Sequence, residues 1–287
     1  MAKKIKHICI VYRPHSPRAA QTSKEVAKWL GGRGFNLYSH PENQPLPKTK
    51  KIKESQIKIL DLVIVLGGDG TFLTAVKLLG GHPTPILGVN LGNLGFLTET
   101  RFEELYDVID MALENKMQRV ERSTVNATII RKNGKKDSFN ALNDIVIERG
   151  PYSRLIDLAI YAGPFLVSTV KADGLIIATP TGSTAYCLAA GGPIVQPTVR
   201  AFTVTPICPH TLTNRPVILS DDQKIKLKLS KDPGRAVLML DGQRKEDLTS
   251  DDIVVVTRGK KPVIMLSLPT RNYFDVLRAK LRFGQRE

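Results

Sequence analysis

This sequence lacks long apolar runs, and its cysteines lack the spacing that metal or disulfide frameworks need. The longest apolar runs, such as 62–66, fall far short of the ~20 residues that a membrane-spanning helix requires. Cys9, Cys187 and Cys208 are widely separated and form no CxxC pair, which argues against disulfides and zinc sites. Residues 1–6 are charged and lead directly into a strand pattern, so no signal peptide is expected. We therefore expect a cytoplasmic protein with reduced thiols and no membrane segment.

Acidic residues are scarce relative to basic ones. The chain has 27 Asp and Glu against 42 Lys and Arg, which gives a formal net charge of +15. This excess suits anionic partners such as nucleotides, polyphosphate or nucleic acid, although surplus lysine is commonly just a solvated surface. No zinc finger, basic zipper or aromatic RNA-binding signature accompanies the charge, so we expect no nucleic-acid partner.

Two common phosphate motifs are also missing. No GxxxxGK[ST] run occurs, and no GxGxxG follows a strand at the spacing of a dinucleotide-binding fold. A different glycine turn is present, because the β-branched run 62–66 predicts a buried strand and is followed by Gly67, Gly68, Asp69, Gly70 and Thr71. Glycines let backbone N–H groups approach a phosphate ahead of a helix.

Asp69 is unexpected in a phosphate-binding turn. A carboxylate about 4 Å from a phosphate charge costs ~4 kcal/mol at an effective dielectric near 20. Either a metal ion neutralises Asp69 or the carboxylate faces a hydroxyl group, and both options indicate phosphoryl transfer. A tight strand-to-helix connection with no ligand remains the alternative interpretation of the turn.

The first 118 residues alternate strand and helix patterns. A helix is predicted to begin with Ser16 as its N-cap and Pro17 at its first position. The proline- and lysine-rich segment 41–58 is predicted to be an exposed loop with a short helix near its end. This order favours a Rossmann-like α/β domain with a parallel sheet.

The pattern changes to short strands after residue 118. Seven or more strand-like runs separated by turns, one of them Asn133-Gly134, predict an all-β second domain of the sandwich type over 119–268. The last segment, 269–287, is helical again and is expected to return to the first domain.

A second candidate site lies in the segment 171–186, KADGLIIATPTGSTAY. Thr181, Ser183 and Thr184 offer hydroxyl groups to phosphate or ribose oxygens, and Tyr186 can stack or donate a hydrogen bond. An ordinary capped helix start is the alternative.

Other polar positions are ambiguous when taken singly. Asn143-Asp144 can contact a ligand or cap a turn, Asp241-Gly242 predicts a hairpin turn, and a lone histidine such as His210 is more often structural. Three aspartates, Asp69, Asp173 and Asp241, each adjoin a glycine, which permits close backbone approach around a polar ligand.

Motifs spread over nearly the whole chain match one known family. In order they are GGDGT at 67–71, NLGFLTE at 93–99, ND at 143–144, ADGLIIATPTGSTAY at 172–186, GGPI at 191–194, PHTLTNRP at 209–216 and DGQ at 241–243. With these motifs the sequence resembles the NAD kinases. GGDGT alone also marks lipid kinases and phosphofructokinases, whereas the long segment with GGPI and the PH...RP run is specific.

The resemblance implies phosphorylation of the adenosine ribose 2′-hydroxyl of NAD by ATP or polyphosphate, giving NADP. Asp69 would be the general base, and a divalent ion, Mg²⁺, without a fixed protein ligand would offset charge beside the donor-phosphate loop formed by Gly67, Gly68, Gly70 and Thr71. The NAD contacts that it implies are Asp69, Gly70, Asn143, Asp144, Arg154, Lys171, Asp173, Thr184, Ala185, Tyr186, Cys187, Leu188, Ala189 and Gln243. It also implies a crevice between the two domains and a homodimer or homotetramer.

The chain departs from the family pattern at one position. Many members carry a basic residue five positions after the motif aspartate, where this chain has Thr74. Either Lys77 substitutes for it or the phosphate contact is absent. Two other functions remain as alternatives: a lipid kinase that shares GGDGT, and a non-enzymatic sensor that keeps the NAD pocket.

Overall fold

The computed structural model describes residues 4–150, 155–230, 236–282 and 284. The chain divides into two compact units: the first unit is Met1–Glu121 with Val263–Glu287, and the second unit is Arg122–Pro262. The limits inferred from the sequence, 118 and 269, differ from these by a few residues, because the strand that begins at Val263 belongs to the sheet of the first unit.

The described residues form 19 strands and 5 α-helices, numbered here along the chain. The helices are α1 (Pro17–Gly32), α2 (Asp69–Leu79), α3 (Leu105–Leu113), α4 (Tyr186–Ala189) and α5 (Tyr273–Leu281). The strands are β1 (His7–Tyr12), β2 (Asn36–Ser39), β3 (Thr49–Lys51), β4 (Leu62–Leu66), β5 (Ile86–Val89), β6 (Gln118–Arg122), β7 (Val125–Ile130), β8 (Lys136–Ala141), β9 (Asp144–Arg149), β10 (Ile156–Ala162), β11 (Phe165–Ala172), β12 (Gly174–Ala178), β13 (Ala201–Ile207), β14 (Val217–Ser220), β15 (Ile225–Leu229), β16 (Ala236–Leu240), β17 (Arg244–Leu248), β18 (Ile253–Arg258) and β19 (Val263–Ser267). None of the helices in the described part has the length and apolar character needed to cross a bilayer.

The first unit is built on one sheet, whose described strands lie in the order β3-β2-β1-β4-β5-β19-β6. β1, β2, β4, β5 and β19 pair in parallel, and every residue of β4 is buried. Parallel strands covered on both faces need continuous apolar runs, which is what 62–66 supplies. The predicted α1 start is confirmed, since the Ser16 side chain accepts the Ala19 N–H and Pro17 opens the helix.

The prediction of an exposed loop over 41–58 is wrong in its middle. β3 pairs in parallel with β2, and the side chains of Leu46 and Ile52 are buried. Prolines and lysines obscured these short apolar anchors, because an edge strand tolerates polar residues on its open side. The short helix near the end of the segment is present as a 3₁₀ turn at Glu54–Ile59.

The second unit consists of two antiparallel six-stranded sheets among the described strands. Their orders are β11-β10-β15-β18-β7-β8 and β14-β13-β12-β9-β16-β17. Alternate residues of β7, β10, β15 and β16 are buried, and one core cluster takes its side chains from both sheets. The prediction of a β-rich second domain is therefore confirmed, and Asn133-Gly134 forms the β7–β8 hairpin with Gly134 at φ 81°.

The chain re-enters the first unit at its end. β19 pairs in parallel with β5, and α5 follows after the Asn272 cap, whose side chain accepts the N–H groups of Phe274 and Asp275. Val276 and Leu277 are buried. The prediction of a C-terminal helix belonging to the first unit is confirmed.

Candidate active site

The carboxyl ends of three parallel strands meet at one edge of the first unit's sheet. The register pairs Tyr12 with Leu66 and Leu66 with Val89. The Arg13 N–H donates to the Leu66 carbonyl at 3.0 Å, and the Gly67 N–H donates to the Val89 carbonyl at 3.0 Å. Open parallel sheets bind their ligands just outside such strand ends.

The glycine turn connects β4 to α2. Gly68 is the N-cap residue, and Asp69 is the first residue of the helix. A Cβ on Gly67 would lie 2.4 Å from Thr71 Oγ1, so no larger residue fits there. The Thr71 N–H donates to the Gly68 carbonyl at 2.9 Å, and the fully buried Phe72 anchors the first helical turn. Local sequence therefore fixes the direction in which the Asp69 side chain leaves the helix.

The Asp69 carboxylate is held by four hydrogen bonds. Oδ1 accepts the N–H groups of Leu97 at 3.0 Å and Thr98 at 3.1 Å and the Thr98 hydroxyl at 3.0 Å, while Oδ2 accepts the Phe96 N–H at 2.9 Å. An ionised carboxylate offers about four lone-pair sites, so Oδ2 keeps capacity for one more donor. Backbone N–H groups thus compensate the charge of Asp69. The sequence had suggested a metal ion or a hydroxyl group beside this carboxylate, but not backbone donors.

The segment around Gly95 fits closely against this carboxylate. A Cβ on Gly95 would lie 2.1 Å from Asp69 Oδ1, and the Gly95 N–H donates to the Thr98 carbonyl at 3.1 Å. Asn90 Nδ2 donates to Thr98 Oγ1 at 2.8 Å. In the sequence, the NLGFLTE segment supported only the family resemblance. In the structure, residues 95–98 of this segment surround the Asp69 carboxylate and orient it.

A cavity of about 400 Å³ lies beside Asp69 within the first unit, and we call it the Asp69 cleft. It is lined by the glycine turn, by the segment after β5 and by three basic residues, Arg13, Arg18 and Lys280. Sequence reasoning missed all three. The position of Arg13 directly after β1 was an available signal, because strand ends of a parallel sheet share one edge, whereas nothing local marked Lys280.

In the second unit, Asp241 fixes the predicted Asn143-Asp144 turn. Its carboxylate accepts the N–H groups of Leu142 at 2.9 Å, Asn143 at 2.7 Å and Asp144 at 3.2 Å. Asp241 has φ 49° in the β16–β17 hairpin, where Gly242 follows at φ 65°. The predicted hairpin turn is therefore present, and its aspartate also shapes a neighbouring segment.

Thr179 and Gly182 connect the second candidate site of the sequence, the segment 171–186, to the 142–144 turn. The Thr179 hydroxyl donates to the Leu142 carbonyl at 2.7 Å and accepts the Gly182 N–H at 3.1 Å. A Cβ on Gly182 would lie 2.0 Å from the Asn143 carbonyl oxygen, so the loop packs directly on that backbone. The buried Thr181 hydroxyl has no hydrogen-bond partner among the described residues.

A second cavity, of about 410 Å³, brings together Asp173 and Tyr186. Arg149 Nε lies 2.5 Å from Asp173 Oδ1, and Glu148 also lines the cavity. Burial, together with Glu148, raises the pKa of Tyr186. Ile207, Val237 and Met239 give the cavity an apolar side. It combines apolar side chains with a few charged groups, as small-molecule pockets do.

Two carboxyl groups lie at the 142–144 turn: Asp144 is buried, and Asp241 is half-buried. Burial raises the pKa of Asp144 to about 7, and the charges of Asp241 and Glu148 add to this. Burial also raises the pKa of Asp241, against the lowering effect of its three N–H donors. The two groups therefore resist being ionised together.

The other residues named from the resemblance take varied positions. The Thr184 hydroxyl donates to the Thr181 carbonyl at 3.2 Å, and the buried Cys187 Sγ lies 3.3 Å from Thr205 Oγ1, facing the interior. Arg154 lies outside the described residues. The remaining predicted contacts, at the surface or half-buried in the second unit, are Lys171, Ala185, Leu188, Ala189 and Gln243.

The described residues offer no cluster of three or more His, Cys, Asp or Glu side chains that could cage a metal ion. The Asp69 cleft does contain one carboxylate with a free lone pair, together with amide groups of Asn90 and Asn93. Mg²⁺ binds through one or two carboxylates, several waters and substrate phosphates. The donor set therefore fits an ion that arrives on a phosphate ligand.

Comparison with known proteins gives a consistent result. Residues 8–117 match the family model described as ATP-NAD kinase N-terminal domain, and residues 142–268 match that of the ATP-NAD kinase C-terminal domain. The NAD kinase of Bdellovibrio bacteriovorus is 46% identical over 97% of this chain and 92% of its own length. That of a Geobacter species is 40% identical over 98% and 100%.

Solved structures agree with these matches. A yeast NADH kinase complexed with NADH superposes with a TM-score of 0.90 at 27% identity, covering 100% of this chain and 90% of the other. An NAD kinase from Archaeoglobus fulgidus in complex with ATP gives a TM-score of 0.75 at 26% identity, covering 95% and 99%.

Proposed function

This chain belongs to the NAD kinase family and phosphorylates NAD to NADP, and we propose that Asp69 accepts the proton of the adenosine ribose 2′-hydroxyl in that transfer. The observation that carries the proposal is the fixed carboxylate at the glycine turn, with Oδ2 still able to accept a hydrogen bond. Phosphoryl transfer relies on positioning and electrostatics, and a held carboxylate loses little conformational freedom when a hydroxyl docks against it.

NAD binding is assigned mainly to residues of the second unit. The Asn143-Asp144 turn is rigid because Asp241 and Thr179 hold its backbone, which favours precise hydrogen bonds to ribose hydroxyls. Asp173 and Tyr186 share a cavity of a size suited to part of a nucleotide. The further contacts proposed from the family resemblance are Asp69, Gly70, Arg154, Lys171, Thr184, Ala185, Cys187, Leu188, Ala189 and Gln243.

The phosphate donor is assigned to the first unit. Gly67 and Gly68 lead into α2, and Gly70 and Thr71 lie in its first turn, where helix N–H groups favour an anion. We propose ATP or polyphosphate as the donor, with NAD as the acceptor. When bound, Mg²⁺ would supply charge neutralisation between donor phosphates and the Asp69 carboxylate.

The proposal extends to assembly and location. We propose a homodimer or homotetramer, as the family resemblance implies, and a cytoplasmic location, as the sequence pattern leads us to expect. The edge strand β11 supports self-association, because Phe165 and Leu166 on it are 75% and 56% exposed. Light scattering on the purified chain should give a mass of two or four subunits, and a monomer at micromolar concentration would contradict this part.

Substitution of Asp69 tests the proton-acceptor role. Asp69→Asn should lower turnover by roughly 10²–10⁴ while NAD binding, measured by calorimetry, is largely retained. Thr98→Val removes one hydrogen bond from the same carboxylate and should cost less, which separates positioning from proton transfer. Asp107→Asn, at an exposed position in the first turn of α3, is the matched control. Unchanged turnover in Asp69→Asn would rule out the assignment.

A further inference from the structure

Three cations of the Asp69 cleft remain without a role in the function described so far. Arg13, Arg18 and Lys280 all line the cleft, and their residues are exposed. Within the described residues, none of the three forms an ion pair with a carboxylate. Their charges are therefore available to an anionic ligand.

Each cation is held by a different part of the fold. Arg13 follows β1, and a Cβ placed on Gly67 would lie 3.2 Å from the Arg13 Cβ, so this side chain starts beside the glycine turn. The guanidinium of Arg18, in the first turn of α1, stacks over the Phe102 ring at 4.6 Å from its centroid. Lys280 comes from the last turn of α5.

The basic residue that many NAD kinases carry five positions after the motif aspartate has no equivalent in this cleft. The Thr74 hydroxyl donates to the Gly70 carbonyl at 3.2 Å, so this side chain is turned onto its own helix. Lys77 is absent from the residues that line the cleft. Its charge acts on His40, whose pKa is lowered by burial and by Lys77, against the raising effect of Glu42. Neither residue supplies the missing cation.

The geometry points to Arg13, Arg18 and Lys280 as the residues that bind the terminal phosphates of the donor. This inference rests on the proposed function, because the donor must reach the glycine turn beside Asp69. Three separate positive charges offset the repulsion between the Asp69 carboxylate and the donor phosphates. Arginine suits this task because its planar fork can bind two phosphate oxygens at once.

The cleft continues past Arg18. A neighbouring cavity of about 300 Å³ shares Arg18, Leu91 and Asn93 with it and adds Arg101 and Phe102. This gives room for the rest of the donor beyond the phosphates. The inference assigns the charged groups of all three residues to the phosphate chain, which ATP and inorganic tripolyphosphate have in common. Their loss should therefore weaken both ligands to a similar degree.

The test uses the full chain with Arg13→Gln, Arg18→Gln, Arg18→Lys and Lys280→Gln, and with Lys77→Gln as the matched control. KM for ATP and KM for NAD are measured with Mg²⁺, and binding of Mg-tripolyphosphate is measured by calorimetry. Each Gln variant should raise the KM for ATP and the Kd for tripolyphosphate roughly 10- to 150-fold, the size of one charge-assisted contact. The KM for NAD should stay constant, and Arg18→Lys should recover part of the loss.

The outcomes separate this inference from the proposed function. Loss of ATP affinity without loss of tripolyphosphate affinity would mean that the cations contact the nucleoside, and it would overturn the inference. Equal effects in Lys77→Gln would show a general surface-charge effect, with the same consequence, and wild-type protein that does not bind tripolyphosphate would also overturn it. If the wild type forms no NADP, the proposed function fails, while the binding data still decide whether the three cations hold phosphate.

Discussion

Asp69, Asp144 and Asp241 are three aspartates whose surroundings give them different chemistry. Asp69 is partly exposed, and backbone N–H groups and one hydroxyl hold its carboxylate. Asp241 uses its carboxylate to order the 142–144 backbone, while Asp144 is buried near two other acids. The glycines next to Asp69 and Asp241 in the sequence indicated close backbone approach, but they did not distinguish the roles of these two residues, which depend on partners up to 99 residues apart.

The buried Asp144 makes stability depend on pH. Its pKa rises from 3.8 to about 7 on folding, so between these values the folded chain binds more protons than the unfolded chain. This contribution to stability is fully present below pH 3.8 and is lost as the pH rises through about 7. The free energy of unfolding should therefore fall by up to ~1.4 kcal/mol per pH unit over that window, relative to Asp144→Asn.

Urea unfolding at a series of pH values checks this expectation. The Asn side chain does not titrate, so the difference between wild type and Asp144→Asn isolates the carboxyl group from all other titrating residues. Parallel stability curves for the two proteins between pH 4 and 7 would contradict a raised pKa at Asp144.

At the scale of elements, the site of the first unit lies where the carboxyl ends of β1, β4 and β5 meet. The hydrophobic run of β4 and the glycine turn were predictable because both are local patterns with a clear physical reason. The hydrogen bonds from residues 96–98 to Asp69 were not predictable from the sequence, because they depend on β4 and β5 lying side by side. β3 was missed for a similar reason, since only pairing with β2 makes its three residues a strand.

Gly95→Ala tests whether the close fit of residues 95–98 around Asp69 is needed for activity. The added Cβ would lie 2.1 Å from Asp69 Oδ1 and 2.5 Å from Thr98 Oγ1, so the carboxylate or the 95–98 segment must move. A misplacement of about 1 Å at reacting groups can cost roughly 10²-fold in rate. We expect that loss in turnover, with NAD binding by the second unit largely unchanged.

The matched control for this change is Gly32→Ala, at the end of α1, where an added Cβ would meet nothing within 4 Å. It should keep wild-type turnover. Steady-state kinetics and thermal unfolding of both variants separate a local effect from misfolding. Wild-type turnover in a correctly folded Gly95→Ala protein would mean that the close fit of residues 95–98 around Asp69 is not needed for activity.

At the scale of the whole molecule, the chain leaves the first unit at residue 121 and returns at 263. Periodicity predicted the two classes of domain well, because an alternating α/β order and a run of short strands are global patterns. Periodicity could not predict that Lys280 and Arg13 line one cleft, because residues far apart in the chain leave no local sequence pattern when they meet. The net charge of +15 suits the anionic substrates that the family uses.

The most direct measurement is the product formed from NAD, ATP and Mg²⁺ by the purified chain. An NADP-specific enzymatic assay combined with phosphorus NMR should find one NADP for each ADP released, with the new phosphate on the adenosine ribose 2′-oxygen. Calorimetric NAD binding without NADP formation, or phosphate at another position, would contradict the account.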